Sequence, residues 1–138
     1  MRIAIDTNCL IAALVKSGGA SARIVEAWLK GRVEAVASEA TVREAELVLG
    51  GGWLARIVSR ERVGELLRNL RDRTVWVEGP PPIRDLPLKD EGDLRMVETA
   101  VAAGARYIVT TDREFLSRRG HGDVEFVTPG EALRAIAR

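Results

Sequence analysis

Two residue types with specialised chemistry are almost missing from this chain. Its 138 residues include one cysteine, Cys9, and one histidine, His121. A lone thiol cannot close an internal disulfide, and one residue of each kind cannot build a Cys/His zinc site. Most nucleophile arrangements that rely on histidine are excluded for want of separate partners. Aromatic residues make up only 4%, which argues against a base-stacking platform such as an RNA-recognition sheet. No apolar run approaches the roughly 18 residues of a membrane span, and no basic segment followed by a signal-type apolar core opens the chain. The expectation is a soluble, cytoplasmic protein without membrane association. Repeats and low-complexity segments are also lacking, and the formal charge of +1 announces no global attraction to nucleic acid.

What is present suits an ordered domain. Hydrophobic residues make up 46% and charged ones 30%, and a chain of this length buries roughly two thirds of its unfolded surface. Residues 1–138 are therefore read as one domain. Five apolar, mostly β-branched runs predict strands: Arg2 to Asp6, Val33 to Ala37, Thr74 to Val77, Tyr107 to Thr110 and Val124 to Val127. Helical patterns separate most of them, which suits crossover connections, so the economical arrangement is an α/β fold with a central, mainly parallel, five-stranded sheet.

Helix punctuation agrees. Ser21 opens SARIVEAWLKG, Ser38 caps EATVREAELVLG, and Thr128-Pro129-Gly130-Glu131 has the pattern of a capping box. After the second strand, residues 50–73 read as a short helix, a break near Ser59 and a longer helix, forming a helical arm. Gly79-Pro80-Pro81-Pro82 through Pro87 is a surface loop. Arginines gather at Arg56, Arg60, Arg62, Arg68, Arg71 and Arg73 and again at Arg113, Arg118 and Arg119. Arg grips phosphate well, yet a helix studded with Arg and Glu is also what a solvated face looks like.

Four acids occupy comparable positions. Asp6 ends the first strand, Glu44 lies on the helix after the second, Asp93 opens the helix DLRMVETAVAAGA, and Asp112 follows the strand YIVTT. Strand ends and helix starts meet along one edge of an open parallel sheet, so distant residues can converge there. Singly, each has a bland role: Asp6, Asp93 and Asp112 as helix caps, Glu44 as a surface residue. Together on one edge they would repel one another unless neutralised, and hard divalent cations take such oxygen ligands.

The segments DTNCLIAAL, SEATVREAELVL, DEGDLRMVETAVAAGARYIVTTDREFL and FVTPGEAL, in that order, resemble a PIN domain over essentially the whole chain. More narrowly they are similar to the VapC-type toxin components of toxin-antitoxin pairs. The resemblance implies a three-layer α/β/α fold and a metal-dependent endoribonuclease acting on single-stranded RNA. It also implies that Asp6, Glu44, Asp93 and Asp112 bind Mg²⁺ or Mn²⁺ and carry catalysis. Asn8 and Thr111 match supporting polar positions, and Asp90 is the reserve candidate for the third acid. Many relatives have a run of several Asp where this chain reads Asp90-Glu91-Gly92-Asp93-Leu94.

Hydrolysis by such a site needs no covalent enzyme intermediate, and Arg113 or an Arg from the middle helices could touch the substrate backbone. The implied partners are a small antitoxin protein and a second copy of the chain. Leu66, Leu67 and Leu70, at helical spacing, suit either a dimer face or the core. Two other readings stand beside the toxin: a housekeeping RNA-processing or structure-specific DNA nuclease, and a catalytically silent PIN-like interaction module. Cys9 is read as a small core residue, His121 as a loop residue, and Trp28, Trp53 and Trp76 as core or interface, with Trp53 exposed on the arm.

Overall fold

Alternation along the strands decides the architecture. In the computed structural model, which describes residues 1–137, β1 (Arg2–Ile5) sends Ile3 and Ile5 to one face and Ala4 to the other. The same period of two recurs in β2 (Glu34–Ser38), β4 (Tyr107–Val109) and β6 (Val124–Val127). Ala35, Ala37, Tyr107, Val109 and Val127 join Ile3 and Ile5, whereas Val36, Ile108, Val124 and Phe126 join Ala4. Both faces are apolar, so both must be covered, and a sheet covered by helices on both sides follows.

The first face packs against α1 (Thr7–Val15), α2 (Ala20–Leu29), α3 (Glu39–Leu49), α4 (Gly52–Ala55), α5 (Arg60–Asp72) and α8 (Pro129–Ala137). The second packs against α6 (Glu91–Ala102) and α7 (Arg113–Arg118), where Phe115 meets Phe126 edge to face at 5.1 Å. The three-layer α/β/α arrangement is therefore present. The sheet order is β3-β2-β1-β4-β6-β5, with β3 at Val75–Val77 and β5 at Gly120–His121. All pairings are parallel except β5 with β6. The sheet thus has six strands rather than five. The extra one is a two-residue ribbon that includes His121, too short to show any alternation.

Several expected boundaries shift for local reasons. Ser21 does not cap α2; Gly19 does, and Ser21 is buried inside the helix. Ser38 and Thr41 form a reciprocal capping box at α3, and Thr128 and Glu131 exchange the corresponding pair of bonds at α8, each 3.1 Å. The helix expected to open at Asp93 begins at Glu91, because Asp90 is its cap and accepts the Asp93 N–H at 3.1 Å.

The helical insertion of residues 50–73 is docked onto the domain: Leu54, Val58, Leu66 and Leu70 are buried in the first core and Leu67 packs against it. That places the leucine stripe in the core. Arg71 bridges Glu39 and Glu46 of α3, and the Trp28 indole N–H donates to the Arg73 carbonyl at 2.8 Å, closing the insertion against α3 and α2. Trp53 remains 52% exposed. The Pro-rich segment is an irregular loop, as expected, but Ile83, Leu86 and Leu88 anchor it on the second core. No helix among the described residues is long and apolar enough to cross a membrane.

Candidate metal centre

The strand order reverses at β1. From there the chain steps outward to β2 and β3 on one side, and β4 and β6 lie on the other. The carboxyl ends of β1 and β4 therefore bound the crevice where an open α/β sheet binds ligands. Asp6 follows β1, Asp112 lies just beyond β4, and the first turn of α6 with Asp90 and Asp93 approaches the same edge.

Asp6 does not serve its helix as a side-chain cap. It occupies the N-cap position of α1 yet makes no side-chain cap bond. Its Oδ2 instead accepts a hydrogen bond from the Thr110 hydroxyl at 2.8 Å, across 104 residues of sequence. The residue is only 8% exposed. Burial raises its pKa above the ordinary range; the Thr110 and Thr7 bonds oppose this, and Asp112 and Asp90 add to it through repulsion.

Asp112 does cap its helix. Its Oδ1 accepts the Glu114 N–H at 2.7 Å, and its own N–H donates to the Thr110 hydroxyl oxygen at 3.0 Å. One fully buried threonine therefore joins both acids that flank the crevice. Thr111, expected to support the site by hydrogen bonding beside Asp112, is exposed, and the bond to the Asp112 N–H is made by Thr110. Asn8 is likewise exposed, and among the described residues no hydrogen bond links it to the carboxylates.

Glu44 is half-buried on α3, and its pKa is raised by burial first and then by Asp90 and Asp6. Asp93 is perturbed most. Burial, followed by repulsion from Asp90, Asp6, Asp112 and Glu44, pushes it up to about 7. Every other acid of the group acts on Asp93. Asp90 is exposed and spends one oxygen on capping α6.

The donor set therefore fits a hard divalent cation in chemical type: carboxylates that repel one another and that positive charge would relieve. The spacing is looser than a closed coordination shell. Among the described residues, no three His, Cys, Asp or Glu side chains are gathered tightly enough to hold a metal ion as they stand. Cys9 offers nothing to such an ion. It is buried against the Val109 carbonyl, and burial, reinforced by Asp6, pushes its thiol up to about 12.

Arg113 begins α7 next to Asp112 and is exposed, as are Arg56, Arg60, Arg62 and Arg68. A cavity of about 430 Å³ lies elsewhere, between α1, α2 and α5, lined by residues such as Leu14, Val25 and Leu66. Two further contributors escaped notice in the sequence. Thr110 was hidden by its twin Thr111. Gly92 lies against the Glu44 carboxyl group so closely that a side chain there would overlap it.

Residues 2–114 match the PIN domain family, and the chain belongs to it. Members of this family are generally nucleases, and they usually work with divalent metal ions. Among solved structures, the chain is similar to VapBC2 from Rickettsia felis, crystallised bound to a DNA fragment from its promoter. The TM-score is 0.57 at 15% identity, with 91% of this chain and 97% of that chain covered. No curated protein matches the chain.

Proposed function

We propose that this PIN domain is a metal-dependent endoribonuclease that cuts single-stranded RNA, acting as the toxin of a toxin-antitoxin pair. The observation that carries the proposal is the mutual repulsion at the crevice. Asp6, Glu44, Asp93 and Asp112 come from four separate segments, and each of the other three raises the pKa of Asp93. Structural carboxylates are normally placed beside cations, not beside one another. The family membership and the likeness to VapBC2 support the same reading.

In this scheme Asp6, Glu44, Asp93 and Asp112 hold Mg²⁺ or Mn²⁺, with Asp90 as an outer acid. The bound ion supplies activation of water and neutralises charge developing on the phosphate. Thr110 bonds the Asp6 carboxylate and the Asp112 backbone N–H with one hydroxyl, which ties the ends of the adjacent strands β1 and β4 together. Asp93, pushed up to about 7 by burial and by its acidic neighbours in the metal-free protein, is the carboxyl group that a bound cation would relieve most. Arg113 contacts a backbone phosphate of the substrate as a charged fork. An open edge admits an extended strand, which suits an unpaired RNA. A small antitoxin protein would restrain the enzyme by covering this edge, and two copies would pair into a dimer.

One observation favours the silent interaction module instead: the acids are not gathered into a ready coordination shell. Cleavage of defined single-stranded RNAs and DNAs with added Mn²⁺ separates the readings. Wild type should cut RNA, and Asp6→Asn and Asp112→Asn should not, while both variants keep the wild-type circular dichroism. Undiminished cleavage by both variants refutes the assigned site. Preference for DNA refutes the substrate, and growth arrest relieved by no neighbouring small protein refutes the toxin role.

A further inference from the structure

Gly92 occupies the second helical position of α6, between the cap Asp90 and the perturbed Asp93. Its backbone does not have positive φ, so conformational freedom gives no reason for a glycine there. In a helix, glycine is in fact a poor choice. The reason lies in space. A Cβ built on Gly92 would overlap Oε1, Cδ and Oε2 of Glu44, the whole carboxyl group. The Glu44 carboxylate thus rests in the volume that any other residue at position 92 would fill.

We propose that Gly92 is a positioning residue: the side chain it lacks is the seat that lets Glu44, carried by α3, join the acids at the start of α6. This deepens the nuclease reading and rests on it for the purpose of the seat. The atoms that would collide belong to the far end of a flexible side chain, so a methyl group at position 92 expels the carboxylate and leaves the backbone where it is. Helix α6 and the contact between α3 and α6 survive. What is lost is one acid from the cluster. No other residue type can substitute without moving Glu44, because every side chain begins with the same Cβ.

The test uses the full chain as wild type, Gly92→Ala and the double variant Gly92→Ala/Glu44→Asp. Mn²⁺ titration by calorimetry should show binding weakened about 10- to 100-fold in Gly92→Ala, on the scale of losing support at a metal site. Its metal-free melting temperature should equal or exceed that of wild type, because alanine is the better helix former. The shorter acid of the double variant should recover part of the lost affinity. Unchanged Mn²⁺ binding in Gly92→Ala, or a loss the shorter acid does not relieve, overturns the proposal. A crystal structure of metal-free Gly92→Ala gives a readout without metal: Glu44 should be displaced from α6, and a carboxylate still seated there overturns the proposal. Wild type that binds no Mn²⁺ and cuts no RNA sinks the nuclease reading instead, and the crystal structure then still decides whether Gly92 seats Glu44.

Discussion

Replacing Thr110 by valine isolates the contact that ties the two flanking acids together. Valine matches threonine in shape, and Thr110 is fully buried, so the change removes a hydroxyl without opening a cavity. Two hydrogen bonds disappear: the donation to Asp6 Oδ2 at 2.8 Å and the acceptance of the Asp112 N–H at 3.0 Å. A buried hydrogen bond to a charged group is worth about 1.5–3 kcal/mol, and an orphaned amide adds about 1 kcal/mol when partly buried. The crevice is open enough for water to reach the amide, so the net loss should be about 2–3 kcal/mol. A chain of this size has an unfolding entropy such that 1 kcal/mol shifts the midpoint by about 3–4 °C. Thermal unfolding at pH 7.5 should therefore fall by about 6–12 °C. The Thr110 bond lowers the pKa of Asp6 against the larger effect of burial. Its contribution is therefore present while Asp6 is ionised and fades as pH falls through the raised folded-state pKa. The gap between variant and wild type should narrow at pH 4. A variant melting within about 1 °C of wild type at pH 7.5, or a gap as wide at pH 4, refutes the account.

The Asp93 carboxyl, pushed up to about 7, predicts how the metal-free protein responds to pH. Its folded-state pKa lies above the unfolded value, so for an acid stability falls as pH rises from about 4 to about 7 and then levels. Asp93→Asn should flatten that slope in melting curves taken from pH 4 to 8.5, and a slope unchanged in the variant counts against the cluster. Glu98 is 2% exposed, accepts the Ile83 N–H of the Pro-rich loop at 2.8 Å, and pairs with Arg95 at 2.5 Å. Glu98→Ala orphans the Ile83 N–H while the partly exposed Arg95 can turn to water, so it should cost about 1–3 kcal/mol in urea unfolding and expose the loop to limited proteolysis; resistance equal to wild type disproves the tether. The Cys9 thiol, buried and pushed up to about 12, should stay unmodified by iodoacetamide at pH 8 until the protein is unfolded. Labelling of the native chain at the rate of a free thiol contradicts its placement.

Legibility in the sequence varied with the kind of pattern. Strand alternation and capping residues are local, so β1, β2, β4, β6 and the caps Ser38 and Thr128 were visible. Asp6, Asp93 and Asp112 stood out because each sits just after a strand or in the first turn of the helix that follows, whereas Glu44, in the middle of α3, has no such local mark. Thr110 and Thr111 could not be told apart, since a one-residue phase at the end of β4 decides which hydroxyl turns inward. The pairing of Val109 with Ile5 and Val127 sets that phase. The cap of α6 was misplaced by three residues, because Asp90 and Asp93 are equally good caps until the backbone path is known.

The order of residues by itself determined the longer strands and the helices between them, though not the two-residue β5, and that acids end up along one edge of a parallel sheet. These follow from periodicity and from short-range hydrogen bonding, both of which act between near neighbours in the chain. Only the tertiary structure decided that Leu66 and Leu70 are core and not a partner-facing stripe, and that Gly92 yields its place to Glu44. An apolar stripe has the same spacing whatever covers it, and an empty volume has no signature in sequence. Both depend on which distant helix arrives, and that is a property of packing.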